Sequence, residues 1–149
     1  MTDPHTDHRA LIARAIAVIG LLGIALIHLL DLQGKLEETP YLGIAYIVLI
    51  VGCVAVAGML LHDATRTAWT LAFAFSLATL IGYVVNRTVG MPHATEDIGN
   101  WLEPLGLASL FVETCVVLVS GYALGVLTPS TASHSSSRSN RTMRTARAA

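Results

Sequence analysis

The stretch PLGLASLFVETCVVLVSGYALGVL, Pro104 to Leu127, decides the fold. Its one charged residue is Glu113, and as a helix it is long enough to cross a bilayer's ~30 Å of hydrocarbon, which takes ~20 residues. It lacks the apolar and polar alternation of a barrel strand, and in lipid a helix satisfies its own backbone hydrogen bonds. Three comparable runs precede it: Leu11 to Leu32, Tyr41 to Leu61 and Trp69 to Val85. The chain is 54% apolar, 13% charged and 6% aromatic, which suits a lipid-solvated bundle better than a water-soluble core. The expectation is an all-α polytopic membrane protein with four transmembrane helices in one left-handed or mixed bundle. A short outer interfacial segment should join helices three and four.

Charges outside the runs set the expected orientation, because Lys and Arg accumulate in cytoplasmic loops. Arg9, Arg14, Arg66, Arg138, Arg141, Arg144 and Arg147 fall on one side, against Lys35 and Arg87 on the other. The second side is acidic, with Asp31, Glu37, Glu38, Glu96, Asp97 and Glu103. Both termini are therefore expected in the cytoplasm. Residues 1–10 form a short cytoplasmic segment that mixes acids with bases, and no small-residue cleavage site follows the first run, so helix one reads as an uncleaved anchor. Residues 128–149 are rich in Ser, Thr and Arg and are expected to be disordered. The arginines of that tail either reinforce topology or rest on anionic lipid, at roughly 1 kcal/mol each near the surface.

An ionisable side chain at membrane depth is costly and calls for a reason. Glu113 lies ~14 Å along its helix from Pro104, close to the expected midplane. Gly106, Ser109 and Ser120 share its face, and helix three supplies a matching stripe of Ser76, Thr79, Tyr83 and Arg87. Glu113, Ser109, Ser76, Thr79 and Tyr83 thus form a candidate intramembrane polar site. Two readings stand side by side. Glu113 is a neutral hydrogen-bonding carboxyl that serves interior packing, or it exchanges a proton or binds a cation. Four helices enclose little volume, so a transport role would call for a homo-oligomer or a larger complex.

A second cluster falls toward the outer face. His28 and Asp31 project from one face of helix one, and the following loops bring Arg87, His93, Glu96, Asp97 and Glu103. If a short helix follows Pro92, His93 pairs with Glu96 and Asp97. Imidazole with carboxylate suits a first-row divalent metal, for which His28, Asp31, His93 and Asp97 are the candidate ligands. No H-x-x-x-H or H-E-x-x-H spacing backs that reading. The plainer alternative has His28 bonded within the bundle, Arg87 neutralising nearby acids and Trp101 anchoring the loop at the interface. A haem held by two histidines would need a second helical histidine at the depth of His28. Asn86-Arg87-Thr88 has the form of a glycosylation sequon and is read as a chance match.

Small residues recur every fourth position as Ala74, Ala78 and Gly82 in helix three and as Gly121 and Gly125 in helix four, the spacing of close helix contacts. Helices two and four open alike, Glu38-Thr39-Pro40-Tyr41-Leu42-Gly43 against Glu103-Pro104-Leu105-Gly106. That echo reads as a duplicated hairpin or as convergent helix-start chemistry. Cys53 and Cys115 stand apart within helices and read as apolar filler, which disfavours a thiol-redox function.

The segments Asn86 to Pro92, Asp97 to Gly106 and Ser109 to Glu113, together with Pro40-Tyr41-Leu42-Gly43, resemble a family of small four-helix integral membrane proteins from high-GC bacteria with no assigned activity. The resemblance implies a multi-pass protein of the bacterial plasma membrane and nothing catalytic. Without nucleophile–base motifs, phosphate loops or paired cysteines, an enzyme is the least supported class. The leading expectation is an accessory or interaction subunit of a membrane complex, with lipid and protein as partners and no nucleic acid. The alternatives are a small proton, cation or divalent-metal handling protein centred on Glu113, and a lipid- or quinone-binding subunit that needs apolar volume between its helices.

Overall fold

The computed structural model describes residues 4–127, save for the side chains of residues 4–7, 96 and 127. The expectations for residues 128–149, including contact with anionic lipid, lie outside the described residues. The described residues form four α-helices, α1 (Pro4–Glu38), α2 (Pro40–His62), α3 (Arg66–Thr88) and α4 (Pro104–Tyr122), with a 3₁₀ turn at Thr95–Asp97 and a π-helical turn at Ala123–Leu127. Four spans, His8–Glu38, Pro40–His62, Arg66–Thr88 and Pro104–Val126, are long and apolar enough to cross a membrane. The protein is therefore an all-α, membrane-spanning bundle.

The helices outrun the apolar runs because their polar ends have local partners. At the end of α1, Gln33 donates to Glu37 at 3.3 Å and Lys35 pairs with Glu38 at 3.5 Å, so residues expected in a loop stay helical. Thr39 alone separates α1 from α2. Pro40 has no N–H and disfavours helical geometry in the residue before it, and Thr39 duly sits at φ −142° and ψ 80°. Gly43 allows so tight a reversal, since a Cβ there would lie 2.9 Å from the Cα of Leu36. At the opposite end the Thr65 hydroxyl caps α3 by accepting from Ala68 N at 3.2 Å, and the Arg14 guanidinium donates to the carbonyl of Leu61 near the end of α2.

α1 packs against α2 and α4, and α3 packs against α4, while α2 and α3 make the sparsest contact between neighbours. α1 and α3 barely touch, and α2 and α4 lie across from one another, so the helices form a ring. At the Arg14 end the ring is filled by Leu21, Ile24, Val56, Leu60, Trp69 and Val116. Leu22, Val48, Phe111 and Leu118 point outward, the pattern of a lipid-solvated surface.

The small residues do not all act as their spacing suggests. Ala74 and Ala78 are exposed, and a Cβ at Gly82 would meet only Met91, so the stripe in α3 forms no close helix contact. Gly121 does meet Phe73 of α3, whereas Gly125 faces open space. The close approach of α1 to α4 runs instead through Gly20 and Gly23, against Val116 and Val112. The repeated Leu-Gly at the starts of α2 and α4 has a packing reason in both places: Gly43 admits Leu36, and Gly106 admits Tyr83, which a Cβ would meet at 2.8 Å.

Candidate functional site

Between the four helices, toward the Arg87 end, lies a cavity of about 280 Å³. α2 and α3 are joined by a short turn and touch where Gly52 faces Phe75. Ala45 and Leu49 of α2 and Ala78 and Gly82 of α3 line the cavity beyond that contact, and Ala45 and Ala78 are also exposed on the outside. The cavity thus opens sideways, between α2 and α3.

A knot of charges closes the Arg87 end. The Arg87 guanidinium donates to Asp97 Oδ1 at 2.8 Å and to Asp97 O at 3.2 Å, and it pairs with Glu103. It also lies 5.1 Å from the centre of the Tyr83 ring, which stacks edge-on against Trp101. Asn86 donates its amide to Asp97 Oδ2 at 2.9 Å, and Lys35 reaches the same oxygen from α1 at 3.4 Å. The loop gains its shape from Gly90 and Gly99, both at positive φ, and Gly99 N returns to Arg87 O at 2.9 Å. Tyr41 ties the loop to α2 by donating to Pro92 O at 2.6 Å.

Burial works against ionisation of Asp97, but the Asn86 hydrogen bond and the charges of Lys35 and Arg87 outweigh it and hold the carboxyl below its usual range. A depressed folded-state value contributes stability above the unfolded value and loses it as pH falls through the folded one. The melting-temperature difference between wild type and Asp97→Asn should therefore be steady above about pH 4 and shrink below it. A difference that held constant to pH 3 would show that Asp97 contributes no such linkage.

The α1 wall carries His28 and Asp31. His28 is buried, and with Nδ1 as donor it bonds Ile24 O of its own helix at 2.9 Å, leaving Nε2 as the acceptor nitrogen. Its ring meets Tyr46 of α2 edge-on at 4.7 Å, and the Tyr46 hydroxyl donates to Asp31 Oδ2 at 3.4 Å. The floor carries Glu113, which is 0% exposed. Ser109 Oγ donates to Glu113 Oε1 at 2.6 Å, while Oε2 is buried without a hydrogen-bond partner.

The two clusters expected from sequence are therefore one site. Glu113, Ser109, Thr79 and Tyr83 line the same cavity as His28, Asp31, Arg87, Asp97 and Glu103. Ser76 and Ser120 are buried with unpartnered hydroxyls but stand outside the cavity wall, and Thr79 spends its hydroxyl on Phe75 O at 2.8 Å. His93 sits exposed at φ 61°, ahead of the three-residue turn Thr95–Asp97, so the helix after Pro92 on which its expected pairing depended does not include it. The side chain of Glu96 lies outside the described residues. The quartet His28, Asp31, His93 and Asp97 is not gathered: among the described residues no three His, Cys, Asp or Glu side chains are placed to hold a metal ion.

Sequence reasoning missed Lys35 and Tyr46. Lys35 follows His28 and Asp31 at helical spacing, a signal hidden by assigning it to a loop. Tyr46 is a polar side chain in the middle of an apolar run, at the level of His28. In comparisons with known proteins, no family model, curated protein or solved structure matches this chain.

Proposed function

We propose that this membrane protein binds a small molecule with an apolar body and one polar end, taken up from within the bilayer. The observation that carries the reading is the cavity itself, apolar where it opens between α2 and α3 and polar at its floor and far end. At about 280 Å³ it lies at the small end of the ~300–1,000 Å³ typical of ligand sites, so it fits a single ring or a headgroup rather than a whole lipid. Such a site meets the requirement set by the lipid- or quinone-binding alternative. An accessory role in a larger complex makes no use of the cavity. The arginine asymmetry supports an orientation with both termini in the cytoplasm, and the bacterial plasma membrane rests on the family resemblance.

The test is a thermal-shift panel on purified protein with quinones, lipids and divalent metals. A ligand specific for the folded state adds about 2.7 kcal/mol at a hundredfold excess over its Kd. Ala78→Phe, which narrows the opening, should abolish the shift, and Leu118→Phe on the lipid-facing side of α4 should leave it. No shift with any of these compounds would remove the quinone and lipid classes as ligands and count in favour of a protein partner.

A further inference from the structure

The cavity wall is out of charge balance. It carries four carboxyls, Asp31, Asp97, Glu103 and Glu113, and two cationic side chains, Lys35 and Arg87. Both cations are engaged: Arg87 pairs with Asp97 and Glu103, and Lys35 with Asp97 and Glu38. Among the described residues Asp31 and Glu113 take part in no ion pair. An anionic ligand would find no unpaired positive charge, and a neutral one would leave both carboxyls as they are. A cation would complete the site. Glu113 is the stronger anchor, a fully buried residue of the cavity wall whose Oε2 has no hydrogen-bond partner.

The cation is not a small inorganic ion. Among the described residues no three His, Cys, Asp or Glu side chains converge, and replacing a hydration shell takes several fixed oxygens. Ile27, Leu42, Leu49 and Leu105 instead present apolar surface to the bound body. Resting on the ligand reading above, we propose that the molecule is a lipophilic organic cation, an ammonium or similar, bound at Glu113 in exchange for the proton of that carboxyl. A fully buried carboxylate without a countercharge is costly, so Glu113 holds its proton while the cavity is empty. When the cation binds at Oε2, the O–H bond breaks and the proton leaves to water. One positive charge enters as one departs, and Ser109 keeps its hydrogen bond to Oε1.

The titratable and charged groups that line the cavity with Glu113 are His28, Asp31 and Lys35 from α1, Tyr46 from α2, Tyr83 and Arg87 from α3, and Asp97 and Glu103 from the loop before α4, with Cys53 of α2 near Glu113 behind the wall. Of these, histidine is the side chain whose ordinary titration falls near neutral pH, so it is the competing proton source to control for.

The experiment uses the full chain in nanodiscs of zwitterionic phosphatidylcholine, titrated calorimetrically with benzyltrimethylammonium, its uncharged carbon isostere neopentylbenzene, and the anion phenylmethanesulfonate. Running the cation in two buffers of different ionisation enthalpy counts the protons released. The cation is expected to bind about tenfold or more tightly than the isostere, with release of about one proton. That release should vanish in Glu113→Gln and survive in His28→Gln. Should Glu113→Gln fail to fold, Asp31→Asn takes its place as the control: proton release that persists in both His28→Gln and Asp31→Asn leaves Glu113 as its source, and release lost in Asp31→Asn overturns the assignment. Equal binding of the isostere, tighter binding of the anion, or cation binding without proton release would overturn this inference and leave the cavity as a ligand site. If none of the three probes and no member of the thermal-shift panel binds, both readings fall.

Discussion

Replacing Arg87 with alanine should destabilise the folded protein by about 3 kcal/mol, because it strands two carboxylates in a partly buried site. Arg87 is 5% exposed and holds Asp97 through both side chain and backbone while also pairing with Glu103. Asp97 keeps Lys35 and Asn86 as partners, which places the loss toward the low end for broken buried pairs. Arg87→Lys should recover only part of it, since a single ammonium cannot fork between two carboxylates while facing the Tyr83 ring. Equilibrium unfolding in mixed detergent micelles, titrated with dodecyl sulfate, measures both variants. A loss under about 1 kcal/mol for the alanine variant would mean that the knot behaves as an exposed ion pair.

The second large effect is expected at Gly43. A Cβ there would lie 2.5 and 2.7 Å from Leu36 side-chain atoms and 2.9 Å from the Leu36 Cα. The side-chain atoms can rotate away; the backbone at the end of α1 cannot, because Thr39 leaves no slack between the helices. Gly43→Ala should therefore cost about 1–3 kcal/mol through overpacking and loosen the junction of α1 and α2. Gly34→Ala is the matched control. Gly34 also lies within a helix but has nothing within 4 Å of its would-be Cβ, so the substitution should stabilise by about 0.5–1 kcal/mol. The same unfolding titration reads both, and equal effects would show that helix propensity, not the close approach, sets the cost at Gly43.

Gly43 and Gly106 also illustrate what a pattern in the chain can and cannot say. Their shared Leu-Gly context was visible as an echo, but its cause, room for Leu36 and Tyr83, depends on neighbours that the pattern does not name. The α3 stripe Ala74, Ala78 and Gly82 makes the opposite point. Its spacing matches a close helix contact, yet Ala78 and Gly82 border the cavity opening.

By itself the sequence determined the class, the number of helices and the contacts made within one helix or between chain neighbours. Apolar length specifies a membrane helix, and the helical repeat places Ser109 one turn from Glu113, where they bond at 2.6 Å. The placement of Arg87 among Asp97 and Glu103 was legible for a similar reason, since a short loop leaves the acids few other places to go. Only the tertiary structure decided that the intramembrane and outer clusters share one cavity, that Lys35 and Tyr46 belong to it, and that His93 does not join His28. Those outcomes depend on the rotation and tilt of each helix. In lipid, a largely apolar helix faces hydrocarbon and neighbouring helices at nearly equal cost, so composition does not encode that rotation, and close packing sets it instead.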